Sequence, residues 1–280
     1  MQFATDRRRP AWTYSTRGVL WHLQTGSPEF LVGEDRILDA KEVSFFCLDR
    51  KTGVPRWEGL IPDDRWWSGI EAVAGGLVLL HGFASPDMPL HRGLTAVDLG
   101  SGAVVWSRPA VRFLRVEGDA IVVVKDGWEG GSVGRLEIGT GATLGEAERL
   151  RPPVGVAGRR DPQTRLPQPF VETAIEDAVL LAAIRSVIPE TVRPESIVGV
   201  RWDDHYVLSY CEPCSDRAGE ESGFRSSLVV LGGVRWAPLF LDVLQEAVAA
   251  IAAEPFFCQE GILYFVKERS TLVAVPLRVP

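Results

Sequence analysis

The stretch FCLDRKTGVPRW, Phe46 to Trp57, packs an apolar strand, a Thr-Gly turn and a closing tryptophan into twelve residues, and whether it recurs decides the fold. Beside VDLGSGAVVW, Val97 to Trp106, its second part keeps one register: Asp, two residues, Thr or Ser, Gly, three residues, Trp. LEIGTGATLG, Leu136 to Gly145, repeats it with Glu137 in the Asp place and Gly145 in the Trp place, and VVLGGVRW, Val229 to Trp236, turns on Gly232-Gly233. The turn glycines Gly53, Gly102 and Gly141 stand 49 and 39 residues apart, in the range of one four-stranded propeller blade. A tight hairpin turn needs positive φ, which glycine adopts without steric cost. An Asp at its start accepts backbone N–H groups, and a tryptophan on the outer strand can pack its ring between blades.

The rest of the chain fits that unit. Short β-branched segments bounded by Gly, Pro or Asp predict strands at Val43–Leu48, Gly76–Phe83, Leu94–Leu99, Ala120–Lys125, Ala178–Ile184, His205–Tyr210, Ser227–Leu231, Ile262–Lys267 and Thr271–Leu277. STLVAVPL, Ser270 to Leu277, reads as a third strand with no fourth after it, whereas PAWTYST, Pro10 to Thr16, reads as a lone outer strand with its own Trp12. Their pairing closes a ring and removes sheet edges. The expected fold is therefore all-β: a single β-propeller over residues 1–280, of about six four-stranded blades, with five or seven as alternatives. Arg149–Pro169, rich in Arg, Pro and Gly, reads as a long exposed connection. Pro238–Glu254 places apolar residues at 240, 241, 244, 247, 248 and 251, a helical spacing, although its Val and Ile also suit a strand.

Composition narrows the function. The chain has 280 residues, 46% of them hydrophobic, enough for a core without disulfides or metal. A net charge of −7 and a pI near 5.3 lack the basic footprint of a nucleic-acid partner. Arg7-Arg8-Arg9 is followed by Pro10, Trp12, Tyr14 and Thr16 rather than an apolar run, so no signal peptide is read. No stretch has the length of a membrane span. The four scattered cysteines suit a reducing cytoplasm.

LTAVDLGSGAVVW, Leu94 to Trp106, and FFCLDRKTGVPRW, Phe45 to Trp57, resemble the repeat of quinoprotein-type (PQQ-like) propellers, in which a strand ending Ala-x-Asp precedes a Thr/Ser-Gly turn and a Trp. The resemblance implies the propeller fold, which serves both quinone-dependent dehydrogenases and non-catalytic scaffolds. The enzymes carry a vicinal cysteine pair beside the quinone and a carboxylate set for calcium. This chain has no adjacent cysteines, so the resemblance points to a non-catalytic bacterial branch with no cofactor expected.

Function then falls to the loops. Asp63, Asp64, Arg65, Trp66 and Trp67 precede the innermost strand of the second blade and combine charge with aromatic area, the composition of a binding hot spot. Arg201, Asp203 and His205, within RWDDHY, repeat that composition. His81, Asp87 and His91 sit on a long hairpin of the second blade, where histidine plus carboxylate suits a general base or a metal half-site. Cys211 and Cys214, with His205 upstream, offer a C-x-x-C metal or redox pair that lacks a fourth ligand. The leading expectation is a non-catalytic binding propeller that takes a protein or small molecule on one rim. An enzyme with its site at the channel mouth and a metal module through the cysteines are the alternatives.

Overall fold

The structure, a computed structural model, describes residues 8–25, 27–85, 88–125, 132–146, 164–215, 221–248 and 254–278. Among the described residues the strands form five antiparallel sheets, three of four strands and two of five. The first strand, β1 (Trp12–Ser15), is paired out of chain order and is taken up below. Three sheets follow in order. The first contains β2 (Val19–Gln24), β3 (Phe30–Ile37), β4 (Glu42–Asp49) and β5 (Pro55–Leu60). The second contains β6 (Ser68–Ala74), β7 (Leu77–Ser85), β8 (Met88–Asp98) and β9 (Val104–Arg108). The third contains β10 (Val111–Glu117), β11 (Ala120–Lys125), β12 (Ser132–Glu137) and β13 (Thr143–Glu146). These sheets make up one compact unit, Thr16–Asp161.

The other unit joins Met1–Ser15 to Pro162–Pro280. It begins with two short strands, β14 (Thr164–Arg165) and β15 (Gln168–Pro169), and a helix, α1 (Ala178–Val187). β15 then extends the sheet of β16 (Ile197–Trp202), β17 (His205–Ser215), β18 (Glu221–Gly232) and β19 (Ala237–Val248). β14 flanks the sheet of β20 (Phe256–Gln259), β21 (Ile262–Lys267) and β22 (Thr271–Pro276), whose far edge is completed by β1. The expected closing pair is present: Trp12 lies opposite Ala274 and Ser15 opposite Thr271. The five sheets among the described residues match the lower of the blade counts allowed for: between Gly145 and Trp236 the described residues supply β14, α1 and four strands of one sheet, not two blades. Among the described residues, no helix is long and apolar enough to cross a membrane.

One segment differs from expectation and one open reading is decided. Ala178–Ile184 is helical, not a strand: the Asp177 side chain accepts hydrogen bonds from the Val179 and Leu180 amides, and Leu180 and Ile184 bury one face. Ala237–Val248 is a strand, one of the two readings its composition left open. Its register against β18 slips three times. Each slip exchanges the inward and outward faces, so strict alternation disappears from the sequence. Of the Arg149–Pro169 connection, residues up to 163 lie outside the described ones, and the remainder supplies β14 and β15.

The repeated turn does what its composition implies. Asp49 accepts from the Lys51 and Thr52 amides and the Thr52 hydroxyl, and Asp98 from the Ser101 amide and hydroxyl. The Ser101 hydroxyl and amide hydrogen bonds hold the Asp98 carboxyl below the usual carboxylate range. Gly53, Gly102 and Gly141 sit at φ 69°, 72° and 65°. Trp57 and Trp106 each reach the next sheet's turn. Trp57 Nε1 donates to the Leu99 carbonyl at 2.9 Å, and a Cβ on Gly102 would stand 2.7 Å from its ring. Trp106 Nε1 donates to the Ile138 carbonyl at 2.8 Å, and a Cβ on Gly141 would again stand 2.7 Å from the ring. Behind these links run two dry layers, one of Val32, Phe45 and Cys47 against Ile70, Val78 and Leu80, the other of Leu79 and Ala96 against Ile121 and Leu136.

Candidate functional site

The inner strands of the Thr16–Asp161 unit share an irregularity that the sequence alone does not display. On β2, β6 and β10 one extra residue bulges out of register: Trp21, Glu71 and Leu114. A bulge re-aims a side chain and accentuates local twist. In the second sheet alone the bulged residue is an acid. A second bulge follows on β8, where Gly93 at φ 81° lets the strand carry one residue more than β7 between the Leu80–Thr95 and Gly82–Arg92 pairs.

Between these two bulges lies the candidate site. Glu71 Oε2 is 2.8 Å from His91 Nδ1 and 3.0 Å from His81 Nδ1. The two imidazoles are stacked, with centroids 3.5 Å apart and planes at 9°. Phe83 sets its ring edge-on to both, at 5.3 and 5.2 Å, and Trp67 lies edge-on to Phe83 at 5.7 Å. His81 is buried, at 7% side-chain exposure, while His91 is open at 41%. His91 makes the well-aligned hydrogen bond to Glu71. His81 Nδ1 is near the same oxygen but off a bonding line, and counts as a buried nitrogen without a hydrogen-bond partner. An orphan of this kind costs about 1–3 kcal/mol unless something else engages it. Burial pushes the Glu71 carboxyl up, but the His81 and His91 imidazoles beside it outweigh that and bring it down to about 2, so Glu71 stays anionic near neutrality.

A buried ion pair borders the group. Arg36 Nε donates to Glu34 Oε1 at 2.5 Å, and its Nη1 and Nη2 donate to the Trp66 and Ser68 carbonyls at 3.0 and 2.6 Å. Its guanidinium also lies against the Trp66 and Trp21 rings, 4.9 and 5.4 Å from their centroids. Gly69 leaves room for His81: a Cβ there would stand 3.0 Å from His81 Nε2 and 3.5 Å from Glu34 Oε2.

The expected residues divide. His81 and His91 come together, joined by Glu71, Glu34 and Arg36, which sequence reasoning missed. One signal for Glu71 existed: an acid inside the apolar strand SGIEAVA needs a partner. Asp87 lies outside the described residues. Trp66 and Trp67 border the site, while Asp64 holds their turn by accepting from both of their amides. Asp63 and Arg65 are exposed, and Arg65 pairs with Glu42 at 2.7 Å.

Arg201, Asp203 and His205 belong to the other unit. Arg201 lies over Trp236 at 5.2 Å and Asp203 bonds Arg278. His205 Nε2 accepts from Arg8 Nη2 at 2.7 Å, while Arg8 also reaches the Pro276 carbonyl at 2.6 Å, so this histidine ties down the N-terminal segment. Burial, then the Arg8 charge, lowers its pKa.

His205, Cys211 and Cys214 do not converge. They lie along the single strand β17, where positions three apart face opposite sides and sit roughly 10 Å from each other. Cys214 Sγ is instead 3.6 Å from the Glu246 carbonyl. None of the four cysteines forms a disulfide. Burial pushes the Cys47 and Cys258 thiols up to about 12, and burial raises Cys211 as well. Native alkylation followed by mass spectrometry is therefore expected to label Cys214 first and to reach the other three only after unfolding. Rapid native labelling of Cys47 or Cys258 contradicts this burial. Among the described residues, the group of metal-ligating type is Glu71, His81 and His91, whose ligand atoms all lie within 4.8 Å of one another.

A family model described as a domain of unknown function (DUF4905) matches residues 26–106, a span that includes Glu34, Arg36, Glu71, His81 and His91. No curated protein matches. Among solved structures the chain is similar to BamB from Moraxella catarrhalis, at 10% identity and TM-score 0.35, over 96% of this chain and 87% of that one. It is similar to the β-propeller domain of the Trilobed protease from Pyrococcus furiosus, at 11% identity and TM-score 0.33, over 90% and 64%. A GH43_1 enzyme from Xanthomonas citri gives 11% identity and TM-score 0.33, over 96% and 90%. The blade assignment rests on the sheet topology itself.

Proposed function

We propose that this chain is a non-catalytic binding propeller of the PQQ-like-repeat type, working in the cytoplasm, which takes a protein or small-molecule partner at the Glu71–His81–His91 group. The supporting observation is a fixed anion beneath two stacked imidazoles, enclosed by Phe83 and Trp67 and open on the His91 side. Aromatic rings around a desolvated charge are the composition of a recognition hot spot. A thermal-shift screen of the full chain against divalent cations, amines, carboxylates and sugars tests this. At a hundredfold excess over Kd, a ligand of the site contributes about 2.7 kcal/mol, which raises Tm by several degrees. His91→Ala abolishes that shift. A screen in which no class gives a His91-dependent shift overturns the reading.

One observation favours a second reading. Glu71 engages His91 Nδ1 and leaves the ring's other nitrogen unengaged by that bond on a side chain that is 41% exposed, as in an oriented general base. Turnover of activated esters or phosphoesters that His91→Ala removes would replace binding by catalysis.

A further inference from the structure

We propose that Glu71, His81 and His91 form a binding site for a divalent transition-metal ion of the zinc class, held by three protein ligands with a coordination position left for an outside donor. The proposal rests on the binding reading above and names its ligand.

The donor set is the first argument. Two imidazoles and a carboxylate suit Zn²⁺, Cu²⁺, Ni²⁺ or Fe²⁺, whereas Mg²⁺ and Ca²⁺ prefer all-oxygen shells. Geometry is the second. Ligand bonds of about 2.0–2.1 Å to a tetrahedral ion place donor atoms roughly 3.3 Å apart. Glu71 Oε2 already stands 2.8 and 3.0 Å from the two Nδ1 atoms, within a few tenths of an ångström of two sides of a ligand triangle, and all three ligand atoms lie within 4.8 Å of one another. Half-exposed His91 can make the adjustment, a ring rotation that turns its nitrogen toward a common centre. His81 gives the third and independent argument: it is more than nine-tenths buried, and its Nδ1 has no hydrogen-bond partner while facing the carboxylate. A metal ion would engage that nitrogen.

The surroundings fit. The ligands lie on three adjacent strands of one sheet, with Glu71 set out of register by its bulge. His81 is held from behind, where its other ring edge presses against Gly69 beside Glu34. Supporting groups of this kind fix the orientation of a ligating imidazole. On the open side, His91 leaves access for a water or for a donor atom of a partner. Three ligands plus an open position is the pattern of a site that exchanges its fourth ligand, unlike the closed four-ligand structural site.

The test uses the full chain, stripped with chelator, dialysed and titrated with Zn²⁺ against a chromophoric competitor at neutral pH. One equivalent per chain is expected to bind at micromolar Kd or tighter, with His91→Ala and His81→Ala each weakening binding by at least tenfold. Cys214→Ser leaves it unchanged. Because His81→Ala opens a hole in the interior, the half-exposed His91→Ala carries the decision, checked for a native circular dichroism spectrum. Co²⁺ loaded in place of zinc should show visible bands without a thiolate charge-transfer band. Binding weaker than millimolar, binding unchanged in His91→Ala, or a thiolate band each overturns the metal site. If zinc fails while another class in the thermal screen gives a His91-dependent shift, the metal falls and the binding reading stands. If neither occurs, both fall.

Discussion

Gly102→Ala is expected to lower stability by about 2–5 kcal/mol, whereas Gly100→Ala, two residues away, stays within about 0.5 kcal/mol. At Gly102, φ is 72° and an added Cβ would stand 2.7 Å from Trp57 Cγ and 3.0 Å from Cδ2. The left-handed backbone costs an alanine about 1–2 kcal/mol, and overpacking against a ring that cannot withdraw costs about 1–3 kcal/mol. Trp57 is pinned because its Nε1 is bonded to the Leu99 carbonyl. At Gly100 the nearest atom to an added Cβ is Asp98 Oδ1 at 3.4 Å, an ordinary contact. Urea denaturation monitored by tryptophan fluorescence reads both changes. A cycle with Trp57→Ala separates backbone from ring: in that background Gly102→Ala should retain the backbone cost and lose the rest. Equal effects at positions 100 and 102 would mean that the ring-on-turn contact contributes nothing.

The second large effect falls on the buried ion pair. Arg36→Met is expected to cost about 3–5 kcal/mol, because Glu34, only 2% exposed, would keep a charge with no counterion. The Trp66 and Ser68 carbonyls would also lose their donors. Glu34→Gln should cost a similar amount by stranding the guanidinium. The double replacement Glu34→Leu with Arg36→Met should cost less than either single change, since burying two apolar side chains requires no desolvation of charge. Additive losses in that pair would show that the two side chains act separately.

How much of this could be read from the chain follows from where the information lies. The turn Asp-x-x-Thr/Ser-Gly is local: its Asp, hydroxyl and glycine bond to one another within five residues, so the repeat was legible from Leu48 and Val97 onward. The ring contact of Trp57 with Gly102 is not local, and only the function of a large ring on an outer strand anticipated it. Helix α1 was misread because AVLLAAIRSV is apolar almost throughout, which erases periodicity. The deciding signal was Asp177 ahead of an alanine-rich run. β19 could be read either way, because its slips convert alternation into an apparent helical spacing. For the site, His81 and His91 were visible as residue types, but Glu71 was not, since a bulge has no sequence mark of its own. The C-x-x-C looked chemical because its spacing suits a turn; in the extended strand β17 the same spacing separates the thiols.

The tryptophan-to-turn links give the Thr16–Asp161 unit a direction. Each link passes forward, from the ring of one sheet to the glycine of the next, so neighbouring sheets are coupled in series like repeats in a linear array. The series ends at the third sheet, where Gly145 replaces the tryptophan and β13 leaves Leu144 at 57% exposure. Cooperativity should therefore be asymmetric along the chain: within this unit the first two sheets are each held by a successor through a tryptophan, a link that the third sheet does not send onward.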